Sequence, residues 1–107
     1  MSSLTLIGII EIQPVVTETP STCYAEFTIL TLEKYWDAEQ KEQTRWITNN
    51  VVATSDTARE LSKTATKGRE IAVTGRLTYM AEKDQQGKYK PVVVIEDYAL
   101  LSGGENQ

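Results

Sequence analysis

Apolar and polar positions alternate with a period of two along most of this chain, and the period changes only once. The opening run Leu4-Thr5-Leu6-Ile7-Gly8-Ile9-Ile10-Glu11-Ile12 is short and β-branched, which favours a strand over a helix. Gly8 marks a bend of the kind found where a sheet curls, and Pro14 is expected to end regular pairing. Thr19-Pro20-Ser21 reads as a turn. From Cys23 to Glu33 a second strand sets Phe27, Ile29 and Thr31 on one face and Glu26, Thr28 and Leu30 on the other. Asp37 to Gln43 is polar and reads as a hairpin loop. Thr44 to Ala53, rich in Thr, Val, Ile and Trp, is a third strand.

Then the period becomes helical. Ser55 and Asp56 are N-cap candidates, Ala58, Leu61 and Ala65 recur at helical spacing, and Lys67-Gly68 supplies a stop. This predicts one helix of about three turns, with a narrow apolar stripe suited to plugging the end of a barrel. Glu70 to Tyr79 is a fourth strand interrupted by Gly75, Glu82 to Lys88 a second polar hairpin loop, and Pro91 to Leu101 a fifth strand. Three strands, a helix and two strands give an all-β class: a five-stranded OB-fold Greek-key barrel with one helix between strands 3 and 4. A β-sandwich or an SH3-like barrel ordinarily lacks that helix. The barrel is expected over residues 1–101, with 102–107 a disordered C-terminal tail.

Composition narrows the chemistry. At 107 residues, 40% hydrophobic and 24% charged, the chain fits one globular domain. It has no histidine, which removes the commonest general base and metal ligand. The single Cys23 allows neither an internal disulfide nor a cysteine zinc cluster, and its place in an apolar alternation points to packing. Glu96 and Asp97 are neighbours on a strand and face opposite ways, so they are solvated charges rather than a catalytic pair. No phosphate-loop motif is present. The expectation is a protein that is not an enzyme, with no catalytic residue, metal or cofactor. No apolar run approaches the roughly 20 residues needed to span a bilayer, and Met1-Ser2-Ser3 carries no cation, a poor start for a signal peptide. The expected location is cytoplasmic, without a membrane partner.

Net charge is −4, which by itself argues against a polyanionic partner. The distribution alters this. Residues 34–90 hold all eleven bases and eight acids, a net of +3, while residues 1–33 and 91–107 hold only acids. Aromatic residues are interleaved with these bases, as non-specific strand binding by stacking and phosphate neutralisation requires. Tyr35 and Trp36 enter the first hairpin, and Lys41, Arg45 and Trp46 leave it. Arg76 and Tyr79 lie on strand four, and Lys83, Lys88, Tyr89 and Lys90 flank the second hairpin. Tyr35 and Trp36 alternate in direction, so only one can face a groove. One of Trp36 and Trp46 is expected in the core, with packing and stacking evenly weighed for Trp46. Arg59, Lys63 and Lys67 form a solvated helical stripe, in which Arg59 can pair with Asp56 and Lys63 with Glu60.

From Leu4 to Leu101 the chain resembles the OB domain of bacterial single-stranded DNA-binding proteins. The resemblance rests on Leu4-Thr5-Leu6-Ile7-Gly8, on Thr19-Pro20-Ser21, on Lys41-Glu42-Gln43-Thr44-Arg45-Trp46, on Lys67-Gly68-Arg69-Glu70-Ile71-Ala72-Val73-Thr74-Gly75-Arg76-Leu77, and on Asp84-Gln85-Gln86-Gly87-Lys88-Tyr89. It implies Tyr35, Trp46 and Arg76 as the best-matching binding positions, with Tyr79 a substitute stacker. The family's histidine and aromatic after the tryptophan are replaced by Ile47-Thr48-Asn49-Asn50-Val51, which removes at least one stacking position. The family's acidic tail is absent before Gln107, so no tail-mediated partner is expected. The resemblance implies a homo-oligomer, tetramer or dimer, with Ile7 and Ile9 at an interface, that binds single-stranded DNA (with RNA as another possible strand) in replication, repair or recombination. The alternative is an OB-fold protein-interaction module that binds DNA weakly or not at all.

Overall fold

The alternation in the sequence is the alternation of a barrel wall. A computed structural model describes residues 3–101; the tail expected over 102–107 lies outside the described residues. The elements run β1 (Ser3–Glu18), β2 (Cys23–Trp36), β3 (Glu42–Thr54), α1 (Ser55–Thr64), β4 (Glu70–Lys83) and β5 (Tyr89–Leu100). They close a barrel in the order β1-β2-β3-β5-β4. All pairings are antiparallel except β3 with β5. This is the five-stranded barrel with a helix between strands 3 and 4 that the sequence implies.

Every second residue of the walls points inward. Ala25, Phe27 and Ile29 of β2, Val51 and Ala53 of β3, Ile71 and Val73 of β4, and Val93 and Ile95 of β5 form the core with Ile10. Ala58, Leu61 and Ala65 close one end of it, as the helical spacing predicts. Fully burying a side chain such as Leu61 or Ile71 is worth about 1.5–3 kcal/mol. The curl needs two close backbone approaches. A Cβ at Gly8 would stand 2.1 Å from the Leu30 carbonyl oxygen, and one at Gly75 would stand 2.2 Å from that of Val94. Neither position has room for a side chain.

The structure differs from expectation at several element ends. β1 does not end at Pro14. It continues to Glu18 through register shifts between Ile10 and Ile12 and between Ile12 and Val15. Pro14 falls in the second shift, where its missing N–H takes no ladder partner from β2. The helix cap is Thr54 rather than Ser55 or Asp56. Thr54 is still extended and paired with Tyr24, so the chain turns at Ser55, whose φ is 55°. The helix ends at Thr64, before Lys67-Gly68. Gly68 instead serves the return turn, where its N–H donates to the Ile10 carbonyl. Cys23 is half-buried against the core, with Sγ 3.6 Å from the Ser55 carbonyl oxygen.

Candidate nucleic-acid interface

β2 and β3 pair without a register shift from Tyr24–Thr54 to Trp36–Glu42. Their alternation therefore runs unbroken from the barrel wall into a two-stranded arm. Because Ala25, Phe27 and Ile29 face inward, the even-numbered residues of β2 face outward, with Thr48, Trp46, Thr44 and Glu42 opposite them on β3. Trp36 and Trp46 thus share one outer face, with Leu32 directly across from Trp46. Both tryptophans are open to solvent, at 70% and 56% of their full exposure. The expectation that one would be core fails, because both stand on the outer face rather than over the barrel interior.

The remaining candidates divide between two faces. Tyr35 lies on the reverse side of the arm with Arg45, whose guanidinium carbon is 4.6 Å from the ring centre. Arg76 points outward beside Val94, next to the inward pair Gly75–Ile95, whereas Tyr79 shares the opposite face with Leu77. Lys83 sits 5.3 Å from the centre of the Tyr89 ring, its partner across the second arm. Lys41 and Lys88 each close a hairpin loop by backbone hydrogen bonds to Asp37 and Asp84.

Between the outer face of β2–β3 and the second arm lies an open groove of about 240 Å³. Its walls include Glu26, Thr28 and Asn50 on one side and Met80, Lys90 and Val92 on the other. Lys90 is the one predicted cation that lines it. Groove residues such as Thr28 and Asn50, and Leu32 and Lys34 beside the tryptophans, were missed at the level of sequence. The β2 alternation would have found them once Phe27 and Ile29 were taken as inward.

Most cations here are already engaged. Arg45 Nε meets Glu33 at 2.7 Å, Arg76 Nε meets Glu96 at 2.8 Å, Lys34 meets Glu42 at 3.4 Å, and Lys41 meets Glu39 at 3.9 Å. Among the described residues Lys83, Lys88 and Lys90 make no ion pair. Near the helix, Arg59 bridges Glu18 at 2.8 Å and Asp56 at 2.6 Å. The hydrogen bond from Arg59 holds the Glu18 carboxyl below its ordinary range, and the bond to Glu18 raises Arg59 in turn. Glu60 does not serve Lys63. It accepts the Tyr98 hydroxyl at 2.8 Å, and burial, followed by that carboxylate, raises the phenol's pKa. Among the described residues no cluster of His, Cys, Asp or Glu has the makings of a metal site, and no helix is long and apolar enough to cross a membrane.

The model of the single-strand binding protein family matches residues 1–101. No curated protein is a significant match to the chain. Among solved structures, a deletion and R190A mutant of the single-stranded DNA binding protein from Thermus aquaticus is 25% identical with a TM-score of 0.81. That match covers 96% of this chain and 51% of the other, so the chain spans about half the length of its Thermus aquaticus relative. The SSB of Plasmodium falciparum, solved in complex with ssDNA, is 19% identical over 95% of this chain and 96% of that one, with a TM-score of 0.81. The small single-stranded DNA-binding protein of Streptomyces coelicolor is 18% identical over 92% and 91%, with a TM-score of 0.73. These last two likenesses are of fold.

Proposed function

The chain belongs to the single-strand binding protein family, and from that premise we propose that residues 1–101 bind single-stranded DNA along the outer face of β2 and β3, largely without regard to sequence. The observation that carries this reading is the pair of solvent-open tryptophans on one face. Large exposed rings are costly to leave in water unless something covers them, and every base offers a flat surface to do so. In this reading Trp36 and Trp46 stack bases, while Lys34, Arg76 and Lys90 meet phosphates. Tyr35 with Arg45, and Tyr89 with Lys83, offer further platforms on the arms, with Tyr79, Lys41 and Lys88 at their margins. The action is binding, with no chemical step and no cofactor, and it belongs in the cytoplasm alongside replication, repair or recombination.

The working form is a homo-oligomer. Ile7 and Ile9 stand on the outer face of β1, open to solvent at 58% and 36%, and a second copy would cover them. Light scattering should report a dimer or tetramer, and Ile7→Glu should shift it toward monomer.

Titration with oligo-dT at low salt tests the binding. Tryptophan emission should fall on addition of oligonucleotide, and binding should weaken as salt rises. Trp46→Ala should cost about 1–3 kcal/mol of binding while leaving the thermal transition in place. Absence of both quenching and retention at low salt would end the proposal.

A further inference from the structure

Among the described residues two outward carboxylates near the groove, Glu11 and Glu26, make no ion pair, and Glu11 is the one held by hydroxyl groups. Glu11 lies in the register shift of β1 between Ile10 and Ile12, half-buried at the surface. Its Oε1 accepts the Thr28 hydroxyl at 3.0 Å and the Thr48 hydroxyl at 3.5 Å. Thr28 is also a wall of the groove. Thr48 and Trp46 are next neighbours on the same face of β3, about 6–7 Å apart along the strand. The two threonines engage Oε1, and among the described residues Oε2 makes no hydrogen bond, which leaves it open to a base stacked on nearby Trp46. A fixed anion there repels phosphate and carbonyl oxygens and accepts hydrogen bonds from amino groups.

Resting on the strand-binding reading, we infer that Glu11 is a specificity-determining residue: it accepts the exocyclic amine of a base and so favours cytosine over uracil or thymine at this position. Cytosine offers its N4 amine as a donor on the edge where uracil and thymine carry the O4 oxygen. The single N3–H of uracil is flanked by two carbonyl oxygens, which a carboxylate opposes. Binding of a strand remains general, through stacking, and only the step beside Trp46 discriminates.

The test compares oligo-dC with oligo-dU of equal length, which differ in that edge and not in a methyl group. Both are titrated at about pH 8, where oligo-dC stays unpaired and carboxylates are ionised. Wild-type protein should bind oligo-dC about fivefold more tightly than oligo-dU or better. In Glu11→Gln the side-chain amide still accepts from the threonines but also donates to O4, so the ratio should fall to about one. Equal binding of the two oligonucleotides by wild type, or an unchanged ratio in the variant, overturns the inference and leaves strand binding standing. Retention of neither oligonucleotide overturns the strand-binding reading and this inference with it. If Glu11→Gln does not fold, the wild-type ratio alone decides.

Discussion

Gln40 holds a left-handed backbone, with φ of 63°, where its counterpart in the other hairpin is Gly87, with φ of 80°. The two loops are built alike. Asp37 and Asp84 each donate N–H to the lysine four residues on, Lys41 or Lys88, and accept from Gln40 or Gly87 at their own carbonyl. A side chain in the left-handed region costs roughly 1–2 kcal/mol, which glycine avoids at some expense in unfolded-state entropy. Gln40→Gly should therefore stabilise the fold by about 0.5–1 kcal/mol, read as a higher urea midpoint at unchanged slope; a lower midpoint would show that the Gln40 side chain contributes something else. The Gly87 turn was legible in the sequence because glycine announces such a backbone, whereas Gln40 does not. The tryptophans were illegible for a different reason. Alternation along β2 tells which of its residues share a face with Trp36, but Trp46 joins that face only through the β2–β3 register that sets it opposite Leu32, and register is not written in either strand alone.

The two hairpin arms show why element ends escaped the sequence. Both β2–β3 and β4–β5 continue as paired strands beyond the core, into segments whose charges read as loop. Charged residues on a ribbon with two solvated faces lose the apolar half of the alternation, so the pattern fades while the ladder continues. The turn itself is tied by Asp37, whose Oδ1 accepts the backbone N–H groups of Glu39 and Lys41 at 2.9 Å while Oδ2 accepts Gln43 at 3.0 Å. These bonds, that from Lys41 foremost, hold its carboxyl below the ordinary 3.8. A carboxyl depressed in the folded state adds stability that is complete above the ordinary value and is lost as pH falls through the folded one. Asp37→Asn should thus melt lower than wild type at neutral pH and show a shallower fall in Tm between about pH 5 and about pH 2. Parallel acid limbs for the two proteins would mean that the loop is not held by that charge.

At the scale of the whole molecule the question is how a chain of net charge −4 can hold a polyanion. The barrel itself was legible, since strand count, helix and curling glycines all follow from period and composition. The charge layout was not, because pairing depends on register. The structure answers with exchangeable pairs. Lys34 and Glu42 stand 3.4 Å apart on the face that carries Trp36 and Trp46, with side chains 76% and 49% exposed. Exposed pairs of this kind are worth about 0–1 kcal/mol, less than a charge-assisted bond to phosphate returns. The carboxylates therefore hold the cations in place without withholding them, and they lower affinity by competing with the strand. Glu42→Gln removes one competitor beside the stacking face. It should tighten oligo-dT binding, and the plot of log affinity against log salt should steepen by about 0.7, the contribution of one further phosphate contact to a single strand. Its stability should stay within about 0.5 kcal/mol of wild type, as for most surface changes. If binding tightens while the slope stays fixed, Lys34 meets no phosphate, and Glu42 acts only by repelling the strand at a distance.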